Sequence, residues 1–312
     1  MLKFTLKRFA LAALILVVAV TIMFLMIRAV PGDPVSIMLG PRATPELKAR
    51  LISEMALDQS IPKQLLLFFG GLLRGDLGVD VFSGRSVTEI VFEQLPHTLK
   101  LIFSAIAWSA ILGIALGCYA AAHPNTWIDR AAATLSVSFI AAPAFVVALL
   151  SLLIFAVQLQ WFPAIGVGEG FWDTAWHLVL PSFAIGLSWV GYIARLVRAS
   201  MLEVMGESHI RTARAFGLSE RRIIGVYALR IAILPVVTVI GVGMGFLLSS
   251  AVFTEIVFAR PGLGKLVIDS ITTRNYPIVM GAVLVSTGLF VVSTALADLI
   301  NALLDPRART AT

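Results

Sequence analysis

Six stretches of this chain each run for about 17 residues or more without a charged side chain, the length a helix needs to cross a bilayer core. They are Phe9–Ile27, Leu101–Ala122, Ala131–Val157, Leu178–Ala194, Ile231–Thr254 and Ile278–Ala297. The first, at ~28 Å as a helix, is long enough to span. Lys3, Lys7 and Arg8 precede it, as in a signal peptide, but the run is longer than a cleaved apolar core and exits through "IRAVPGDP". Residues 1–30 therefore read as an uncleaved anchor helix. The pattern predicts an all-α membrane protein of six transmembrane helices.

The polar segments between the runs supply the sidedness. Arg195, Arg198, Arg211, Arg214, Arg221, Arg222 and Arg230 surround the gap between the fourth and fifth runs, whereas Gln158–Ala175 holds no basic residue. Basic loops stay in the cytoplasm, so this loop and both termini are expected there. The segment Phe258–Pro277 runs against the trend with Arg260, Lys265 and Arg274. On this reading residues 31–96 form a long external region, 97–303 a five-helix core and 304–312 a cytoplasmic tail. The external region carries helix-like stretches such as "TPELKARLISEMAL", and it is either a cap over the outer mouth or a docking surface for an external partner.

Composition agrees with this reading. Hydrophobic residues make up 59% of the 312 and charged residues 13%, with a mean hydropathy of +0.94. A soluble domain is about a quarter charged. The net charge of +6, with no basic tract, points to cytoplasm-facing loops and not to nucleic acid. Cys118 is the single cysteine, so no internal disulfide can form, and the histidines at 97, 123, 177 and 209 are too scattered for a metal cluster.

The stretch "RTARAFGLSERRI" at 211–223 spends four arginines in thirteen positions. Glu203, Glu207, Arg211 and Arg214 recur at helical spacing and predict one charged stripe on a helix over 203–216, acids first and bases last. Gly217 suits a left-handed C-cap. Ser219 suits the N-cap of a second helix, with Glu220 in its first turn, running on toward Pro235. Such a helix–turn–helix either lies among lipid headgroups or docks into a groove on a cytosolic protein.

"HIRTARAFGL" resembles the cytoplasmic-loop signature of the inner-membrane permeases of binding-protein-dependent ABC importers, specifically the dipeptide/oligopeptide/nickel branch. The resemblance covers nearly the whole chain. It runs through "VPGDPV" at 30–35, "LRGDLG" at 73–78, "QLPHTLKL" at 94–101, "WFPAIG" at 161–166 and "ARLVRASMLEV" at 194–204. "ALRIAILPVVT" at 228–238, "EIVFARPGLGKL" at 255–266 and "DPRAR" at 305–309 complete it. Two positions depart from the branch: Phe216 stands where lysine is common before the glycine, and Asn275 where aspartate is favoured.

The resemblance implies a bacterial or archaeal cytoplasmic-membrane subunit that pairs with a second homologous permease. Two ATPase subunits would dock on its coupling loop at about 200–230, and an external solute-binding protein would deliver the substrate. Glu207, Arg211, Thr212, Ala213, Arg214, Ala215, Phe216, Gly217 and Leu218 are the residues it assigns to ATPase coupling. Glu255, in the family's Glu-x-x-Phe, is then a gate or loop anchor. Ser249 and Ser250, beside Gly241, Gly243 and Gly245, either line the pathway or belong to a close-packed helix face. Short peptides are the expected cargo, with nickel chelates, opines or oligosaccharides as alternatives.

No catalytic or metal site is expected in this chain, and no cofactor; ATP would sit on the partner subunits. "PGLGK" at 261–265 lacks the features of a phosphate-binding loop, because Ala259 replaces the first glycine and Leu266 the hydroxyl residue. An intramembrane enzyme would need paired catalytic groups within the runs. A stand-alone channel or carrier would need coupling charges there, and both are nearly absent.

Overall fold

In the computed structural model, which describes residues 2–29, 44–54 and 58–304, the chain is mostly helical. Among the described residues no strand ladder forms, only the isolated bridge Val79–Ser86. In chain order the first helices are α1 (Leu2–Ala29), α2 (Pro45–Glu54), α3 (Ile61–Leu72) and α4 (Val87–Ala122). Next come α5 (Trp127–Ala141) and α6 (Ala144–Ser151), the latter continuing as a π-helix over Leu152–Gln158. Then follow α7 (Gly170–Met205), α8 (Ser208–Ala215) and α9 (Glu220–Arg222), which passes into a second π-helix, Ile223–Ala228. The last are α10 (Leu229–Ala232), α11 (Leu234–Val257), α12 (Leu263–Thr272) and α13 (Tyr276–Leu304). The motifs at 30–35 and 305–309 lie outside the described residues.

Among the described residues, three single helices are long and apolar enough to cross a membrane: Val87–Ala122, Gly170–Met205 and Tyr276–Ala297. Two bent pairs raise that number to five, while the apolar stretch of α1, Ala13–Met26, falls short of that length. The expected unbroken span at Ala131–Val157 is thus replaced by two helices meeting at 95°. Pro143 explains the corner. Proline excludes its predecessor from helical geometry, and Ala142 accordingly sits at φ −80°, ψ 114°. The span expected at Ile231–Thr254 bends by 41° just before Pro235, which has no N–H to continue the ladder. Two other helices overrun their expected limits. α4 starts at Val87, inside the region expected to be external loop, and α7 extends the fourth run at both ends.

The chain divides into two compact units, Met1–His97 with Pro261–Val291, and Thr98–Arg260 with Val292–Thr312. The first is built on Val20, Leu77, Val87, Val91, Leu263, Ile278 and Ala282, with Phe68 and Phe69 packed against them. A polar staple closes its 76–86 turn. The buried Asp80 carboxylate accepts from the Phe82 and Ser83 N–H groups, the Ser83 hydroxyl and the Asn275 amide. Burial pushes the Asp80 pKa up, but the bonds from Ser83, Asn275 and Phe82 outweigh it and hold the group below its ordinary value. An aspartate at 275 would set a second carboxylate against the first, so the amide found here suits its partner.

The second unit is organised around α7. Leu180, Ala184, Ile185, Val190, Ile193, Ala194, Val197, Met201 and Val204 are all buried along it. Glycines permit the closest approaches, as is usual between helices in lipid. A Cβ added at Gly191 would lie 2.4 Å from the Ser136 carbonyl oxygen, and one at Gly117 would lie 2.6 Å from that of Ala194. On α11, Gly241 abuts Ala297 and Gly243 abuts the Trp189 ring, so these two glycines serve packing.

Gly191→Ala should therefore force α5 from α7 and destabilise the protein by about 1–3 kcal/mol, the usual cost of overpacking. Gly70→Ala, with nothing within 4 Å of the added carbon, should leave the midpoint unchanged or raise it. Thermal unfolding in detergent, followed by Trp fluorescence, checks both.

Candidate functional site

The arginine-rich loop folds into a short helix held down at two points. Ile210 and Ala213, three residues apart on α8, are buried in one cluster with Val197, Met201, Val204, Ile223, Ala228, Ala232 and Val236. The inner face of α8 thus rests on the end of α7 and on the segment that becomes α11. Its other face carries Arg211, Thr212, Arg214 and Ala215, all exposed. Phe216, immediately after the helix, is 82% exposed. A benzyl group so placed gains nothing from this chain alone.

Gly217 ends the helix as anticipated. It lies at φ +75°, a region in which a Cβ is penalised. The Gly217 N–H donates to the Arg214 carbonyl (2.9 Å) and the Leu218 N–H to that of Ala213 (3.3 Å). These two bonds make a Schellman motif, and Leu218 completes it by packing against the buried cluster that contains Ala213. Arg214 Nε and Nη2 then fork onto the Glu220 carboxylate at 2.7 and 3.3 Å, closing the turn with a charge pair. That pairing raises the Arg214 pKa and lowers that of Glu220. Both groups are solvent-exposed, so the pair fixes direction more than stability.

One local expectation fails, and the Ser219 N-cap holds in position but not through its side chain. The stripe from Glu203 to Arg214 is not on one helix, because α7 ends at Met205 and Gly206 turns the chain. Glu203 stays on α7, whereas Glu207 becomes the extended N-cap residue of α8 at φ −73°, ψ 157°. From there its carboxylate meets His209 Nδ1 at 3.0 Å, and Arg211 and Arg214 follow on α8 alone. Helical spacing persists across a break, so spacing could not reveal it. Ser219 has the extended N-cap backbone, but its hydroxyl caps nothing. Its carbonyl accepts from the Arg222 and Ile223 N–H groups, at 2.9 and 3.0 Å.

Not every arginine of the loop belongs to this surface. Arg198, on α7, forks onto the buried Asp129 at the start of α5, with Nη2–Oδ2 at 2.7 Å. The Asn125 N–H donates to the same carboxylate at 3.0 Å. Sequence reading missed this clasp, although Asp129 is the one acid in "PNTWIDR" and was available as the signal.

A second polar cluster lies at the far end of α11. Glu255 is 1% exposed and accepts a hydrogen bond from Thr98 Oγ1 on α4 at 2.6 Å. Ser249, by contrast, is exposed and donates to the Gly245 carbonyl of its own helix at 3.1 Å, and Ser250 is half-buried. Arg260, one of the three basic residues that run against the charge asymmetry, is also 1% exposed. Its Nη1 donates to the carbonyls of Gly166 (2.8 Å) and His177 (3.1 Å). Lys265 meanwhile pairs with Asp269 one turn along α12. Arg260 and Lys265 are thus compensated by buried carbonyls and a carboxylate respectively.

Comparison with known proteins places these features in a family. Residues 113–310 match the binding-protein-dependent transport system inner membrane component, and residues 1–102 match its N-terminal counterpart. A probable peptide ABC transporter permease protein of Sinorhizobium fredii is 36% identical over 289 residues, 92% of each chain. The glutathione transport system permease protein GsiC of Salmonella choleraesuis is 36% identical over 310 residues, 99% of each chain. The counterpart in Escherichia coli O6:H1 is 34% identical over 309 residues, again 99% of each. Among solved structures, a chain from inward-facing conformations of the MetNI methionine ABC transporter superposes with a TM-score of 0.57 at 17% identity. That match covers 69% of this chain and 96% of the other. At that identity it speaks for the fold.

Gly217→Val should strain the turn by roughly 1–2 kcal/mol, the cost of a left-handed residue with a branched side chain. Hydrogen exchange should show protection lost at the amides of 217 and 218 and retained along α7. Unchanged protection at both amides would mean that the turn tolerates a Cβ.

Proposed function

Because the chain belongs to the family of binding-protein-dependent transport system inner membrane components and is a permease subunit of an ABC importer, we propose that α8 and the turn after it dock its ATPase partners. The observation that carries this reading is the pairing of a well-anchored helix with an unanchored outer surface. Ile210 and Ala213 fix α8, the Gly217 turn fixes its end, and Phe216 with Arg211 is left facing outward. A groove on a cytosolic protein that accepts an apolar knob ringed by bases would complete it. Lipid headgroups would favour the arginines but give a fully exposed ring on so short a helix no defined seat.

In this reading the chain has six spans, α1 being the first and the two bent pairs the third and fifth. Both termini and the 200–230 loop lie in the cytoplasm, as the excess of arginine there supports. The membrane is the inner membrane of a bacterium or archaeon. A second permease completes the pathway, and an external solute-binding protein supplies the cargo. ATP is bound and hydrolysed on two separate ATPase subunits. Short peptides are the cargo best supported, since the relatives' names specify peptides and glutathione. Within the pathway, Ser249 and Ser250 are the candidate lining residues, and Glu255 is an anchor of the outer mouth.

Burying a Phe side chain stabilises a contact by about 1.5–3 kcal/mol, or roughly ten- to a hundredfold in affinity. Phe216→Ser should therefore weaken ATPase binding at least tenfold while leaving membrane insertion and pairing with the second permease intact. Co-purification of tagged ATPase subunits with the wild-type and variant chains measures this. Equal recovery from both would remove Phe216 from the docking surface, and no recovery with the wild type would overturn the coupling reading itself.

A further inference from the structure

Arg260 is the largest of the fully buried side chains, and its backbone explains how it comes to be there. α11 closes with a second Schellman motif, in which the Ala259 N–H donates to Ile256 (3.1 Å) and the Arg260 N–H to Glu255 (2.8 Å). The left-handed position is held by Ala259, at φ +46°, where glycine would be at ease. In such motifs the residue after the left-handed one packs on the residue five places earlier, normally through an apolar contact. Here those two residues are Arg260 and Glu255; burial pulls the Arg260 pKa down, and the Glu255 charge works against that fall.

The cluster reaches four segments. Glu255 takes the Thr98 hydroxyl of α4. Arg260 holds the carbonyl of Gly166, in the segment between the 152–158 π-helix and α7, and that of His177 on α7. The Gly166 N–H returns a bond to the Phe258 carbonyl at 3.3 Å. A guanidinium supplies several donors in a fixed plane and remains charged, so it can satisfy both carbonyls at once while its charge balances that of Glu255 nearby.

We propose that Arg260 is a positioning residue that, together with Glu255, joins the ends of α4, α7 and α11 and the 159–169 segment into one body. That body moves as a unit when the coupling loop at the opposite end of α11 is driven. The driving step rests on the function proposed above; the rigidity does not. Spin labels at Lys100→Cys on α4 and Ile165→Cys, both exposed positions, in a Cys118→Ser background report on it. The protein is the full chain assembled with its partner permease and ATPases, with and without trapped ATP.

The wild-type distance distribution should be narrow and the same in both states. Arg260→Met alone removes the positive charge that balances the buried Glu255 carboxylate. Arg260→Met/Glu255→Gln removes both charges, so it keeps the fold while losing the clasp. In that double variant the distribution should at least double in width. A width equal to wild type, a nucleotide-dependent wild-type distance, or failure of the double variant to fold would each overturn the proposal. If no ATPase assembles with the wild type, the coupling reading fails, while the comparison of widths without nucleotide still decides the role of Arg260.

Discussion

A helix in hydrocarbon must satisfy its own backbone polar groups, so the places where helices end are where the chain commits its special residues. Three terminations organise this molecule. Pro143 forces Ala142 out of helical geometry and turns the third apolar run through 95°. Gly217 closes α8 in the left-handed region, and Ala259 closes α11 the same way. Two of them fix the neighbouring side chain: the exposed Phe216 at one, the buried Arg260 at the other. Had Gly217 been an ordinary residue, α8 would have no reason to stop with Phe216 outward and Leu218 inward.

The arginines differ in use although their chemistry is the same. Arg198 is spent on the buried Asp129, tying the start of α5 to α7. Arg214 forks onto Glu220 and sets the direction of a surface turn. Arg260 is enclosed with Glu255 and main-chain carbonyls. Arg195, Arg211, Arg221, Arg222 and Arg230 are exposed. A charge total along the sequence therefore overstates the basicity that a partner or a headgroup would meet.

Much of the fold was legible because its signals are local. Long uncharged runs marked the helices, and Gly217 after a charged amphipathic stretch marked a C-cap. The break at Gly206 was hidden, since residues on both sides keep helical spacing. The two π-helices were hidden too, because they shift the hydrogen-bond register without changing composition. Arg260 was read as a weak contradiction of the charge asymmetry. Its hydrogen bonds go to Gly166 and His177, 94 and 83 positions away in the chain, and no local pattern reports such a partner set.

The central claim is that the outward face around Phe216 meets an ATPase in the cytoplasm. Its most direct test is the reactivity of Phe216→Cys, in a Cys118→Ser background, toward a membrane-impermeant maleimide. Labelling is followed in intact cells and in inside-out vesicles with and without the ATPase subunits. The account predicts no labelling in intact cells, ready labelling in bare inside-out vesicles, and protection once the ATPases are bound. Labelling in intact cells, or equal labelling of vesicles with and without ATPases, would contradict it.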